Sequence, residues 1–250
     1  MVFVHGFACD HADWKFQLKE FSKRQEVVAC DLRGHGATPG RPQECSIEHY
    51  GGDVAALVMN LDLADAFLIG HSMGCRVVLE AARVLPAKRV AGVVLIDGSR
   101  AGAGNPDAAE ATARAMVAKA GYPAFAENLF RQMFFKESRE SEAIVERAVR
   151  TSASFGPELW PRMARWDAAA MEGALAAVRG RILAIQSTTR NAQLQRAPMK
   201  PGDTSPFLDL LKSYGAKIEI VPDTGHFTQL VQPGRVNRLI EAFCRSAGAP

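Results

Sequence analysis

The sequence predicts an α/β protein with a mostly parallel, doubly wound sheet of about six strands and a helical cap inserted into it. Short apolar runs alternate with stretches of helical periodicity, which is the pattern of parallel strands buried on both faces. One of these runs passes directly into Gly-x-Ser-x-Gly at residues 70–74 and then into a helix. From about 101 to 178 the pattern is helical only. The predicted division is therefore a core of residues 1–100 and 180–250 and a cap of residues 101–179.

Six apolar runs are the predicted strands, in chain order. They are residues 1–7, 27–31, 66–69, 89–97, 181–186 and 217–221. The helices of the core follow them at about residues 14–21, 46–61, 73–85, 207–214 and 234–245. The run at 89–97 is the strongest strand, because it stays apolar until it stops at a carboxylate. The stretch at 187–205 is polar and is predicted to be a loop.

Composition narrows the class of protein. With 250 residues, of which 48% are hydrophobic and 23% charged, the chain is long enough for one large α/β domain or a core with an inserted lobe. A net charge of +3, with no basic run interleaved with aromatic residues, argues against nucleic acid as a partner. No window approaches the roughly 18 apolar residues of a membrane span, and the first residues given show no basic stretch followed by an apolar signal core. We therefore expect a cytoplasmic protein that does not enter the membrane.

Five widely spaced cysteines, without a Cys-x-x-Cys pair, favour neither a disulfide framework nor a zinc site. We expect reduced thiols and no bound metal.

Ser72 is placed to be a nucleophile. A strand that must reverse into a helix within about one residue holds its central residue in a strained conformation, with the side chain above the sheet edge. Gly70 and Gly74 leave room for this turn, since a side chain at either position would strike the neighbouring strand or helix. The N–H of Met73, at the start of the next helix, points toward the same spot and is one candidate donor of an oxyanion hole. The N–H of Phe7, after the first strand, is the second candidate.

His226 is the best general base that the sequence offers. A serine hydroxyl needs a base within hydrogen-bond reach, usually a histidine that a buried carboxylate orients. His226 follows the last strand, where Gly225 permits a tight loop back toward the sheet. Asp97 is the first candidate for the carboxylate, because it directly follows the strand predicted to lie beside that of Ser72. Asp203 is the alternative acid, and it requires the long loop to fold back.

Four motifs occur in order along the chain: His-Gly-Phe at 5–7, Asp-Leu-Arg-Gly-His-Gly at 31–36, Gly-His-Ser-Met-Gly at 70–74 and Gly-His-Phe at 225–227. With these motifs the chain resembles the α/β-hydrolase superfamily, in the branch of esterases, lactonases and cofactor-free haloperoxidases. The resemblance implies the chain order nucleophile, acid, histidine, with a helical cap over the pocket.

Two departures from the family pattern stand out. The resemblance implies two further antiparallel strands at the N-terminus, and these are missing, so the strand at 27–31 is expected either to be an exposed edge or to belong to a truncated sequence. Because an exposed edge is an association hazard, a homodimer is one hypothesis. The acid that most relatives keep after residue 186 is also missing. Its relocation to the position of Asp97 is known in the superfamily, including in haloalkane dehalogenases and cofactor-independent ring-cleaving dioxygenases.

We interpret the protein as a serine hydrolase that cleaves a carboxylic ester or lactone through an acyl-enzyme, with no metal or organic cofactor. Nine side chains of the cap indicate an apolar chamber for an acyl, alkyl or aromatic group. They are Phe125, Phe130, Met133, Phe134, Phe135, Trp160, Met163, Trp166 and Met171. The sequence shows no cluster of arginines that indicates a phosphate or polyacid substrate. A C–C bond hydrolase, a cofactor-free dioxygenase or perhydrolase, and a non-catalytic ligand receptor remain as alternatives.

Overall fold

The computed structural model describes residues 1–191, 193 and 195–247. Its strands are β1 (Val2–Val4), β2 (Val28–Cys30), β3 (Ala66–His71), β4 (Val90–Ile96), β5 (Ile182–Gln186), β6 (Thr188–Arg190), β7 (Arg196–Pro198) and β8 (Lys217–Ile220). Its α-helices are α1 (Lys15–Phe21), α2 (Ile47–Asn60), α3 (Met73–Val84), α4 (Pro106–Ala120), α5 (Tyr122–Arg131), α6 (Arg139–Ser152), α7 (Gly156–Ala169), α8 (Met171–Ala177), α9 (Pro206–Ser213), α10 (Thr228–Val231) and α11 (Pro233–Ser246). Short 3₁₀ helices lie at His11–Trp14, Pro42–Glu44 and Ala87–Arg89.

The main sheet has six strands in the order β2-β1-β3-β4-β5-β8, and every neighbouring pair is parallel. The predicted fold class and all six predicted strands are confirmed. The first strand is shorter than predicted because the chain turns at His5 and Gly6, after Val4. The strand order places β3 and β4 at the centre, so that residues following these two strands meet at one edge of the sheet.

The stretch at 187–205 contains two short strands that the loop prediction missed. β6 and β7 pair antiparallel as a hairpin outside the main sheet. Each strand has only three residues, too few for the alternation of polar and apolar side chains to stand out from a polar loop.

The two faces of the sheet bury alternate residues of each strand. Phe3, Ile69 and Val94 pack with the side chains of α1 and α11 on one face. Their chain neighbours Leu68 and Val93 pack with α2, α3 and the inserted helices on the other face. Burial on both sides explains why the central strands are continuously apolar.

The segment between β4 and β5 consists of five helices, α4 to α8, in agreement with the helical periodicity of the sequence. It is anchored to the core by a buried ion pair in which Arg76 of α3 donates to Asp167 of α7 through two nitrogens at 2.7 Å. Trp166 of α7 also donates to the Glu80 carboxylate at 3.1 Å. The helices therefore have a fixed position on the sheet. Their assignment as a separate cap unit, residues 101–179, stays a prediction.

Candidate active site

Ser72 lies at the sharp turn between β3 and α3. Its backbone has φ 55° and ψ −114°, a conformation that is sparsely populated for a residue with a side chain. The turn is held by a hydrogen bond of 2.9 Å from the Ser72 N–H to the Ile96 carbonyl. Within the described ranges the Ser72 hydroxyl has no hydrogen-bond partner, and the residue is only partly buried. The hydroxyl thus lies at the sheet edge and makes no hydrogen bond to the described residues that would have to break before it reacts.

The two glycines of the motif are required by close packing. A Cβ on Gly74 would lie 2.3 Å from the Val4 carbonyl oxygen, which belongs to β1. A Cβ on Gly70 would lie 2.2 Å from the Gly74 carbonyl oxygen. Both neighbours are backbone atoms that cannot rotate away, so the structure has no room for a side chain at either position.

The two candidate oxyanion donors flank Ser72. Gly6 approaches the serine so closely that a Cβ on it would lie 3.2 Å from the Ser72 Cβ, which places the next residue, Phe7, beside the elbow. Met73 is the first residue of α3. In the part of the chain that the structure describes, neither the Phe7 N–H nor the Met73 N–H donates a hydrogen bond. Unbonded amide donors beside the serine are what an oxyanion hole needs.

Asp97 and His226 form a buried pair. The His226 Nδ1 atom lies 2.7 Å from the Asp97 Oδ2 atom, and both side chains are almost completely buried. The other carboxylate oxygen of Asp97 accepts from the N–H groups of Ser187 and Thr188, both at 3.0 Å. Asp97 Oδ2 also accepts from the Thr188 hydroxyl at 2.8 Å. The carboxylate is therefore fully engaged and fixes the plane of the imidazole.

The alternative acid is not at this place. Asp203 lies in an exposed turn, where its carboxylate accepts from the Lys200 N–H at 2.7 Å. Of the two carboxylates considered from the sequence, the structure brings only Asp97 into contact with His226.

The loop that carries His226 is anchored from two sides. Gly225 has φ 64°, a left-handed conformation that favours glycine, and a Cβ there would strike the Met133 carbonyl oxygen. The His226 N–H donates to that carbonyl at 2.8 Å, and the Ser187 hydroxyl donates to the Gly225 carbonyl at 2.6 Å. The inserted helices and the end of β5 together position the histidine.

The second ring nitrogen of His226 faces a guanidinium. Arg196 Nη2 lies 3.4 Å from His226 Nε2. A guanidinium only donates, so Nε2 carries the lone pair and Nδ1 carries the proton that faces Asp97. Burial lowers the pKa of His226 well below its ordinary value, and the Arg196 charge lowers it further, against the opposing effect of Asp97. The imidazole is therefore neutral near pH 7, in the tautomer of a general base.

Asp97 remains ionised in this environment. Burial raises the pKa of the Asp97 carboxyl. The net pKa is nevertheless below the usual value, because it is lowered by the His226 imidazole, by the Arg196 charge and by the hydrogen bond from Ser187. The charged form is the one that accepts all the surrounding donors.

His71, which directly precedes Ser72 in the chain, contacts His226. The His71 Nε2–H donates to the His226 carbonyl at 2.9 Å, and the two imidazole rings have centroids 4.7 Å apart. No hydrogen bond within the described residues joins the Ser72 hydroxyl to His226 Nε2, which contacts Arg196 instead. Catalytic hydrogen bonds are often long in a free enzyme and tighten when substrate binds.

Three other histidines near the site are buried in backbone contacts. Burial lowers the pKa of His5 and of His71 to about 4, and that of His35 to about 3. His5 accepts from the Leu32 N–H at 3.0 Å, so it links the first loop to the second. These contacts give the three histidines a structural role.

Most of the aromatic and methionine side chains predicted to line a chamber pack the core. All nine except Phe134 and Phe135 are buried in it. Phe134 stacks on Phe227 at a centroid distance of 5.0 Å, next to the His226 loop.

Sequence reasoning missed the two arginines of the hairpin, whose pairing is not visible in the sequence. Arg190 of β6 and Arg196 of β7 are directly paired across the hairpin. Together with Thr188 and Gly98 they line a cavity of about 390 Å³ next to the Asp97–His226 pair. The two arginines are separated along the chain, and only the antiparallel pairing brings them together.

The described ranges contain no group of three or more His, Cys, Asp or Glu side chains arranged to hold a metal ion. None of their helices is both long enough and apolar enough to cross a bilayer.

A parallel sheet that presents a strained serine at a strand-to-helix turn, beside a buried histidine–carboxylate pair, defines a class of hydrolases. The chain belongs to the alpha/beta hydrolase family, whose model matches residues 1–239.

Individual proteins agree with this assignment. The chain is 40% identical over 96 residues to the dihydrolipoyllysine-residue acetyltransferase component of the acetoin cleaving system of Pseudomonas putida, a match that covers 38% of this chain and 26% of the relative. It is 39% identical over 102 residues to a non-heme chloroperoxidase of Burkholderia pyrrocinia, covering 38% of this chain and 36% of the relative. The matches thus span about a third or less of these relatives' length.

Among solved structures, a thermophilic esterase from Thermogutta terrifontis superposes with a TM-score of 0.72 at 25% identity, over 98% of this chain and 89% of that one. The family and its esterase neighbours support a hydrolase.

Proposed function

We propose that the protein is a serine hydrolase that cleaves a carboxylic ester or a lactone. The observation that carries the proposal is the buried Asp97–His226 pair, with its 2.7 Å contact, beside the strained Ser72, whose hydroxyl bonds to none of the described residues. These are the three groups that acyl transfer requires: a nucleophile, a base and a carboxylate that orients the base.

The proposed reaction uses these groups in turn. Ser72 Oγ attacks the carbonyl carbon while His226 Nε2 takes the hydroxyl proton, and Asp97 stabilises the imidazolium that forms. The N–H groups of Phe7 and Met73 hold the oxyanion, each worth roughly 3 to 4 kcal/mol in the transition state. His226 then gives its proton to the leaving alkoxide, which leaves an acyl-enzyme. A water molecule, activated by the same histidine, releases the acid.

Substitution of the nucleophile and the base tests this proposal. We expect Ser72→Ala and His226→Ala each to abolish the hydrolysis of 4-nitrophenyl butyrate while the far-UV circular dichroism and the melting temperature stay close to those of the wild type. Ser246→Ala and His49→Ala, at exposed positions, are the matched controls and should keep full activity. Turnover retained in either active-site variant would refute the assignment. Stoichiometric labelling of Ser72 by a fluorophosphonate separates an enzyme from a non-catalytic receptor.

A second candidate is cofactor-free oxygen or peroxide chemistry that uses the His226–Asp97 pair without the serine. One observation favours it: His226 Nε2 contacts Arg196 and has no hydrogen bond to Ser72. The similarity to a non-heme chloroperoxidase is consistent with this candidate. Oxygen uptake or halogenation that survives Ser72→Ala would support it over ester hydrolysis.

A further inference from the structure

The hairpin beside the active site places two positive charges directly opposite each other. Arg190 and Arg196 are register partners in the antiparallel pair of β6 and β7. Cross-strand partners have Cβ atoms about 4.5–5.5 Å apart, and like charges at this spacing destabilise the pair. The arrangement therefore has a cost in the free protein, which a bound anion would remove.

Neither arginine has a carboxylate partner within the described ranges, although carboxylates are close. Asp97 is held by His226 and three further donors, and Asp167 is held by both nitrogens that Arg76 directs at it. Arg196 donates to the Thr188 hydroxyl at 2.7 Å, and its Nε–H is buried and bonds to none of the described residues. The guanidinium of Arg190 lies over the Trp160 ring at 5.6 Å. Both guanidinium groups thus have N–H donors that are available to a ligand.

Both guanidinium groups remain positive despite burial. Burial lowers the pKa of Arg190 to about 9, with contributions from the nearby Arg196 and Arg76 charges. Burial likewise lowers the pKa of Arg196 to about 10. At pH 7 the pair therefore carries two charges in a partly desolvated place, where an anion is bound more strongly than at the surface.

The pair faces a cavity of a size that suits a small substrate. The cavity of about 390 Å³ is lined by both arginines and by Gln186, whose Oε1 atom is buried and has no hydrogen-bond partner in the described part of the chain. Arg196 lines this cavity and also contacts the Nε2 atom of His226. A ligand that contacts Arg196 from the cavity is therefore separated from the catalytic base by one side chain.

We propose that Arg190 and Arg196 bind a carboxylate carried by the ester, so that the substrate is anionic rather than wholly apolar. The proposal rests on the proposed function, because it names the substrate class of the same site. A carboxylate matches the planar fork of a guanidinium and accepts two parallel hydrogen bonds from it. The carboxylate would lie between the two forks and relieve their repulsion.

A matched pair of esters tests this proposal. Ethyl hexanoate and monoethyl adipate have acyl chains of the same length and differ only in a terminal methyl or carboxylate. We expect kcat/KM, measured by pH-stat at pH 7.5, to favour the adipate ester. Arg190→Gln and Arg196→Lys should each reduce the adipate-to-hexanoate ratio of kcat/KM about tenfold or more, since a charge-assisted bidentate contact is lost or weakened. Arg245→Gln, which removes an exposed charge from α11, should leave this ratio unchanged.

A binding measurement keeps the test independent of turnover. Isothermal titration of adipate into the Ser72→Ala protein should show binding that Arg190→Gln weakens about tenfold or more. Two results would overturn the carboxylate site and leave the serine hydrolase intact. One is the absence of adipate binding. The other is that both esters are hydrolysed but the adipate-to-hexanoate ratio of kcat/KM is the same in the wild type and in both arginine variants. Adipate binding without hydrolysis of either ester would instead overturn the proposed function. Inorganic phosphate bound more tightly than adipate would overturn the assignment of a carboxylate.

Discussion

Asp97→Asn changes one atom of the carboxylate, and the surrounding contacts determine how the amide must sit. If the amide nitrogen faced Ser187 and Thr188, it would meet two backbone N–H donors that now bond to Asp97 Oδ1. The amide nitrogen must therefore replace Oδ2 and face His226 Nδ1. Two donors cannot bond, so the imidazole proton moves to Nε2. That proton then occupies the nitrogen that must accept the serine proton, and it faces the Arg196 guanidinium, which is also a donor.

The wrong tautomer removes the base while the backbone of the site stays in place. We expect kcat/KM for 4-nitrophenyl butyrate to fall about 10⁴-fold, which corresponds to about 5.5 kcal/mol in the activation free energy. The unfolding free energy should fall by only about 1–3 kcal/mol, since one buried hydrogen bond is lost or mismatched. Initial rates at pH 7.5 and urea unfolding measure the two quantities on the same preparation.

Asp203→Asn is the control for this substitution. Its carboxylate is exposed and, among the described residues, accepts only from the nearby Lys200 N–H, so kcat/KM should stay within about twofold of the wild type. Wild-type turnover in Asp97→Asn, or a large loss in Asp203→Asn, would refute the assignment of the acid.

Three further substitutions test other parts of the structure. Arg76→Ala leaves the buried Asp167 carboxylate of α7 without its partner and should lower the unfolding free energy by about 3–5 kcal/mol. Arg114→Ala, which breaks the partly exposed pair with Glu158, should lower it by about 1 kcal/mol or less. Equal losses in urea unfolding would contradict this prediction. Gly74→Ala places a Cβ 2.3 Å from a carbonyl oxygen of β1 and should cost about 1–3 kcal/mol, and an unchanged melting temperature would argue against this packing. Arg196→Gln removes a charge that lowers the pKa of His226, so the acidic limb of kcat/KM for 4-nitrophenyl butyrate should move to higher pH. An unmoved limb would show that the two groups do not interact.

The sequence was informative about the sheet because the strands are short, continuously apolar and separated by helices. Burial on both faces leaves a strong signal in the residues, and all six strands of the sheet were predicted. The position of Ser72 was also predictable, since a nucleophile elbow needs two glycines at fixed spacing. Residues that follow the central strands, such as Asp97, meet at one edge as a consequence of the parallel topology.

The hairpin and its arginines were not predictable for a physical reason. Arg190 and Arg196 lie in a polar stretch in which each strand has only three residues, and their charges oppose strand pairing. Local preference therefore gives no signal for the pairing. The choice between Asp97 and Asp203 was open for a similar reason, because spacing along the chain does not determine which carboxylate a loop histidine meets.

A carboxylate bound at Arg190 and Arg196 would act on the catalytic base through the contact between Arg196 and His226. In the free protein the guanidinium charge lowers the pKa of the imidazole and so weakens the base. A carboxylate bound to Arg196 would neutralise part of that charge, and the pKa of His226 would rise when an anionic ester binds. The base would then be stronger in the complex than in the free enzyme, and only for substrates that carry the charge.

Two pH profiles measure this coupling. The acidic limb of kcat/KM reports the free enzyme, whereas that of kcat reports the complex with substrate. Because activity is lost as the pH falls through the pKa of His226, a raised pKa moves the limb of kcat to higher pH. With monoethyl adipate we expect the limb of kcat to lie at higher pH than that of kcat/KM, and with ethyl hexanoate we expect a smaller separation. The same separation for both esters would mean that the charge of the substrate does not reach Arg196, and the carboxylate would have to bind elsewhere.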